Sequence, residues 1–270
     1  MSRRGTFARA GLSLSVVESG SGRRMIFQHG LCGDAAQPQE LFPGDAGWSC
    51  LTLECRGHGA SEAGPPEAFS IATFADDVAA LAKARGGGPV VIGGVSMGAA
   101  IALRLAVQRP DLVSGLVLVR PAWFVDSAPA NMAPNAEVGN LLANHELDKA
   151  RALFEASPTA AMLAREAPDN LASLRGFFTR APIETTAALL RAIAPDGPGV
   201  TRDALAGIAV PTVVIGHGED FIHPIAHAEA LAAAIPKATL VRITPKAVSR
   251  ERYVHEARAA LSDFLKEIPQ

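Results

Sequence analysis

Residues 90–103 read VVIGGVSMGAAIAL. The stretch joins two patterns. VVIGG is a short, β-branched apolar run of the kind buried on both faces of a parallel sheet. MGAAIAL opens a helical run of small and apolar residues that ends at Pro110. Ser96 stands at the junction, flanked at two residues' distance by Gly94 and Gly98. A turn from strand directly into helix is so tight that its central residue takes a strained backbone and its neighbours must be small. The hydroxyl of Ser96 then projects above the sheet edge, and the amide of Met97 lies at a helix N-terminus, where it can stabilise a developing oxyanion.

The rest of the chain repeats the strand-then-helix alternation. Strand-length apolar runs ending in Gly or Pro occur at 25–30 (MIFQHG), 50–55 (CLTLEC), 90–95, 115–121 (GLVLVRP), 211–218 (PTVVIGHG) and 238–245 (ATLVRITP). Helical patterns lie between and after them: 71–85 behind a Ser70 N-cap, 97–110, 223–236, and the terminal 250–268. This order predicts an α/β fold with a mostly parallel central sheet flanked by helices. Residues 7–22, with alternating character and Gly11, predict an antiparallel hairpin at the sheet edge. Residues 122–200 carry helical patterns, many prolines and no clear strand, so they read as a helical insertion.

Composition narrows the classes. The chain has 270 residues and a formal net charge of −2. Without a basic block, neither a nucleic acid nor a membrane surface is an expected partner. No apolar run is long enough to span a bilayer, and the N-terminus lacks the apolar core of a secretory signal. Cys32, Cys50 and Cys55 are too few and scattered for a disulfide framework or a metal site. The expectation is a cytoplasmic protein, monomer or homodimer, that takes a small-molecule substrate and needs no cofactor or metal.

Taken together, the motifs resemble the α/β-hydrolase superfamily over almost the whole chain. FQHGLCG (27–33) resembles the His-Gly turn after the third strand, ECRGHGASE (54–62) the stretch after the fourth with Glu54 in place of an aspartate, and GGVSMGAA (93–100) the nucleophile elbow. PTVVIGHGEDFIHP (211–224) is similar to the strand and loop that carry the catalytic acid, and ALSDFL (260–265) to the final helix. The resemblance implies a core of 1–121 and 201–270 with a helical cap at 122–200. It implies Ser96 as nucleophile, Asp220 as acid, and the amides of Leu31 and Met97 as oxyanion hole. Arg56 and His58 would tie the fourth-strand loop together. His29 would brace the oxyanion turn; with Arg120 and Trp123 it is also a candidate for substrate contact. Arg120 at the sheet's C-terminal edge could instead pair with a cap acid such as Asp126. Met132, Leu141, Leu142, Phe154, Met162, Phe177 and Phe178 divide between cap core and pocket wall.

One member of the family pattern is missing. The loop after the last strand, ITPKAVSRER, has Lys246 and Ala247 where the family places Gly-His. Position points to Lys246 as the third catalytic residue, which requires a pKa depressed by burial, while the nearby Asp220 would raise it. His255 falls on the polar side of its helix. His223 or His217 would place the base on the acid's own loop. The triad could also be incomplete. The expected function is a serine hydrolase of a small ester, lactone or amide; the alternatives are lyase-like or cofactor-free chemistry on the same scaffold, or a non-catalytic ligand binder.

Overall fold

A computed structural model describes residues 2–44, 47–86 and 88–269. Eight strands form one sheet: β1 (Arg3–Arg9), β2 (Leu12–Gly20), β3 (Arg23–Gln28), β4 (Trp48–Leu53), β5 (Val90–Val95), β6 (Val113–Val119), β7 (Thr212–Gly216) and β8 (Ala238–Arg242). Their spatial order is β1-β2-β4-β3-β5-β6-β7-β8. From β4 to β8 every pairing is parallel; β1–β2 and β2–β4 are antiparallel. The N-terminal hairpin turns at Ala10 and Gly11, both at positive φ, the geometry of a two-residue turn that matches strand twist.

Helices α1 (Ala36–Leu41), α2 (Ile71–Ala84) and α3 (Met97–Gln108) lie among the first strands, and α9 (Arg202–Leu205), α10 (Ile225–Ala234) and α11 (Arg250–Glu267) among the last. Strand residues alternate between two cores. Leu51, Leu53, Ile92, Leu116, Leu118 and Val214 pack with α2, α3 and α10. Cys50, Val91, Val95, Val117, Val119, Val213 and Ile215 pack with α1 and α11. Both faces are therefore covered, which is why the strands read as unbroken apolar runs; each such side chain stabilises the fold by about 1.5–3 kcal/mol on burial. No helix among the described residues is long and apolar enough to cross a membrane.

Between β6 and β7 the chain forms α4 (Ala133–Asn144), α5 (Leu147–Glu155), α6 (Pro158–Glu166), α7 (Pro168–Gly176) and α8 (Ile183–Ile193). They share a core of their own, including Leu142, Phe154, Leu163, Leu174, Phe178 and Leu190.

One boundary departs from the sequence expectation. The helical pattern at 223–236 predicts a helix starting at His223, but α10 begins at Ile225 with Pro224 as its N-cap. The proline ring pushes the preceding residue out of the helical region, so His223 stays in the loop.

The β5–α3 turn explains its glycines. A Cβ on Gly94 would come within 2.2 Å of the Gly98 carbonyl carbon, and one on Gly98 within 2.4 Å of the Gln28 carbonyl oxygen. Strand β3 and the start of α3 can approach only because these side chains are absent. Gly98→Ala is therefore expected to lower unfolding stability by roughly 1–3 kcal/mol, the range for forcing atoms into a packed site. A urea titration checks it, and an unchanged midpoint would contradict this account of the turn.

Candidate active site

Ser96 sits at φ 57°, ψ −113°, outside the regions an L-residue prefers. Its N–H donates to the Val119 carbonyl at 3.0 Å, so the β5–β6 ladder fixes it from one side. Its carbonyl accepts from Ala99 and Ala100 N–H, so α3 fixes it from the other. Strain of about 1–3 kcal/mol persists only where surrounding structure over-determines it, and such residues cluster at functional sites. Cys32, Arg120 and Glu219 are also held at positive φ, and they lie on the loops that meet Ser96.

The hydroxyl of Ser96 is 2.9 Å from Nε2 of His223. On the other side of that ring, Nδ1 lies 2.9 Å from Oδ1 and 3.1 Å from Oδ2 of Asp220. The carboxylate and the imidazole are thus three residues apart on one loop. The loop is self-braced: Asp220 Oδ1 also accepts the backbone N–H of His223 at 3.0 Å. Asn170, on α7, closes it from outside. Its Nδ2 donates to Asp220 Oδ1 at 2.9 Å, and its Oδ1 accepts the N–H groups of Phe221 and Ile222.

Arg120 completes the cluster. Its Nε and Nη2 approach Asp220 Oδ2 at 2.8 and 2.6 Å, and its guanidinium lies 5.8 Å from the Tyr253 ring centre. Burial works against the Arg120 charge, but Asp220 and Tyr253 together more than offset it and the pKa is raised. Burial alone would likewise raise the Asp220 pKa; His223, Arg120 and Asn170 together hold it well below the ordinary carboxylate range. For His223, burial lowers the pKa, Asp220 raises it and Arg120 lowers it, leaving a net shift below 6.5. His223 is therefore neutral near pH 7. Its Nδ1 is nearer to both Asp220 oxygens than to Arg120 Nη2 at 3.2 Å. The proton accordingly sits on Nδ1, and the Nε2 lone pair faces the serine.

A cavity of about 240 Å³ opens on this cluster. Ser96, Arg120 and His223 line it together with Leu31, Asn135 and Phe177. Met132 and Asn170, also from the 122–200 stretch, reach it too.

The remaining sequence candidates divide. Lys246 reaches the cavity wall, where its Nζ pairs with Asp169 at 3.1 Å. The structure thus places the Lys246 ammonium in an ion pair with Asp169, and the side chain hydrogen-bonded to the Ser96 hydroxyl is His223. His29 is fully buried, with Nδ1 on the Gly30 carbonyl and Nε2 accepting the Cys55 N–H at 3.0 Å. It braces the turn before Leu31 and does not line the cavity, so substrate contact is corrected to support. Trp123 is also corrected: it is 1% exposed in the main core and its indole N–H donates to the Asp196 carbonyl. Arg120 reaches the cavity, but its ion-pair partner is Asp220; Asp126 is exposed. Of the aromatic and aliphatic candidates, Met132 and Phe177 face the cavity while Leu142, Phe154 and Phe178 form the helical core and Leu141 and Met162 pack against it. Arg56 makes a two-pronged pair with Asp77, and His58 holds the Arg56 carbonyl, so both tie the fourth-strand loop. Burial pushes the Cys32 thiol up to about 12, which keeps it protonated. His255 is exposed, and His217 Nε2 lies 3.7 Å from Asp220 without a hydrogen-bond partner among the described residues.

Asn170 escapes sequence reading altogether, because one asparagine in a helical stretch carries no signal. For His223 a signal exists: an Asp-x-x-His spacing followed by proline.

These features agree with the comparisons. The sequence profile of the alpha/beta hydrolase fold matches residues 23–246, and the chain belongs to the α/β-hydrolase family. BpoC of Mycobacterium tuberculosis, provisionally named a non-heme bromoperoxidase, is 30% identical over 244 residues, 86% of this chain and 89% of its own. RutD of Klebsiella pneumoniae, provisionally named a carbamate hydrolase, is 31% identical over 204 residues, 71% of each chain. Among solved structures, the enol-lactonase from Burkholderia xenovorans superposes with a TM-score of 0.72 at 24% identity, covering 97% of this chain and 100% of its own. At that identity the likeness speaks for the fold.

Arg120 gives the site a testable electrostatic signature. Its positive charge lowers the His223 pKa, so Arg120→Gln should move the imidazole titration to higher pH. The acid limb of any His223-dependent activity should move in the same direction. NMR titration of His223 in both proteins measures the shift, and an unmoved or lowered midpoint in the variant would contradict it.

Proposed function

We propose that the protein is a serine hydrolase of a small ester, lactone or amide, with Ser96 as nucleophile, His223 as general base and Asp220 as the residue that orients it. The observation that carries this reading is the continuous chain Ser96 Oγ to His223 Nε2 at 2.9 Å and His223 Nδ1 to Asp220 Oδ1 at 2.9 Å. A serine hydroxyl is a weak nucleophile without a base in hydrogen-bond reach, and here a neutral imidazole occupies that place.

The chemistry follows from the geometry. Ser96 Oγ attacks the substrate carbonyl carbon as its proton passes to His223 Nε2. Negative charge develops on the carbonyl oxygen. Met97 N–H opens α3, where it has no intrahelical acceptor. Together with the Leu31 N–H on the cavity wall it forms the oxyanion hole. Collapse breaks the bond to the leaving group, which takes the proton from His223. Water then attacks the acyl-serine with His223 again as base, releasing the acid and restoring Ser96. Asp220 stays ionised throughout, stabilising the transient imidazolium. Arg120 keeps it so, while holding the imidazole basicity low.

Residues 122–200 serve as the cap over the C-terminal ends of the strands, where open α/β sheets bind ligands. Met132, Asn135, Asn170 and Phe177 from this segment supply part of the cavity wall, which supports that role. A volume of about 240 Å³ lies below the roughly 300–1,000 Å³ of drug-sized sites, so short acyl groups fit best.

Ser96→Ala should lose at least about 10³-fold in hydrolysis of a short acyl p-nitrophenyl ester while keeping the wild-type circular dichroism and melting temperature. Undiminished turnover would sink the assignment. Ala247→His, which restores the family's histidine in the last loop, should produce no gain, because the base position is filled. A large gain would show that His223 does not serve.

A further inference from the structure

The turn that carries Leu31 lies against the serine. A Cβ on Gly30 would come within 3.3 Å of Ser96 Cβ, and Leu31 and Cys32 line the cavity beside Ser96. Gly33 N–H donates to the Gly30 carbonyl at 3.0 Å and closes the turn around Leu31 and Cys32. Within it Cys32 is held at φ 57°. That is the left-handed region, which glycine enters freely and a residue with a Cβ resists. The start of the turn is tied by Gln37, whose Oε1 accepts the Gly30 N–H at 2.6 Å. Its strained residue is tied from the 122–200 insertion. Arg180, half-buried just before α8, donates from Nε to the Cys32 carbonyl at 3.0 Å. Its Nη2 donates to the Gly57 carbonyl at 2.7 Å, and its Nη1 to Oγ1 of the buried Thr186 on α8 at 2.9 Å. All three of these bonds go to neutral oxygens, so the planar guanidinium acts as a fork between the insertion and the loops after β3 and β4.

We propose that Arg180 is a positioning residue for the oxyanion turn: by holding the Cys32 carbonyl it keeps Cys32 at positive φ and so fixes the direction of the Leu31 N–H. The inference rests on the serine-hydrolase reading, in which that amide is one of two oxyanion donors. Without the guanidinium, Cys32 relaxes toward negative φ, the 30–33 turn loosens and the amide loses its preorganisation. A donor aimed at developing charge matters more in the transition state than in the bound substrate, so the loss falls on kcat and spares KM. The insertion thereby contributes to the chemistry as well as to the cavity wall.

Steady-state kinetics on a short acyl p-nitrophenyl ester test the proposal. A misdirected donor costs part of the roughly 10²–10³-fold in kcat that a missing donor costs, so Arg180→Met should lower kcat at least about tenfold and leave KM within about twofold of wild type. Cys32→Gly, added to Arg180→Met, should recover most of that kcat, because glycine holds positive φ without the clamp. Cys32→Ala in the same background also removes the thiol but keeps the Cβ, and should recover none. If Arg180→Met does not fold, Arg180→Lys takes its place, since one ammonium cannot reproduce the fork. Undiminished kcat in the arginine variant overturns the inference and leaves the hydrolase reading standing. A loss that glycine does not recover, or that alanine recovers equally, also overturns it. Absence of turnover by the wild-type protein overturns both.

Discussion

The Asp220 carboxylate is the constraint on which the site depends. One buried group accepts the Arg120 guanidinium, the Asn170 amide, the His223 backbone N–H and the His223 ring. These partners come from different parts of the chain: the end of β6, α7 and the loop before α10. A single anion therefore joins sheet, helical insertion and the loop before α10. Taking such a charge out of water costs several kcal/mol, recovered only when geometry and hydrogen bonding are both good. Removing one partner would leave an uncompensated buried charge, so the network is strongly cooperative. Within the network Asp220 holds the His223 ring, while Arg120 opposes its protonation.

The strain at Ser96 belongs to the same design. The elbow is held by the β5–β6 ladder on one side and α3 on the other, and Gly94 and Gly98 allow the backbone contacts that fix it. Arg120 and Glu219, also at positive φ, place the guanidinium and the acid loop around it.

Most of the fold was legible in the sequence. Its core strands are unbroken apolar runs because both faces are buried, and the elbow declares itself by two glycines around one serine. The helical insertion showed as a loss of strand signal across 122–200. The partner of the Ser96 hydroxyl was harder to read. Family position drew attention to Lys246 and Ala247, and helical periodicity assigned His223 to the first turn of a helix. Pro224 decides otherwise, by holding His223 in the loop where the ring can span Asp220 and Ser96. Periodicity describes a helix interior and says little about which residue precedes it. The roles of Arg120 and Asn170 were beyond sequence reading, because they depend on contacts between residues 50 or more positions apart.

The central claim is that His223, carried on the acid's own loop, activates Ser96. The rate at which a fluorophosphonate labels Ser96, followed by mass spectrometry, tests it most directly, since phosphonylation needs the activated hydroxyl but no particular substrate. The account predicts that His223→Ala slows labelling by about 10²-fold or more, while Lys246→Ala labels at close to the wild-type rate. Rapid labelling in His223→Ala, with loss in Lys246→Ala, would contradict it.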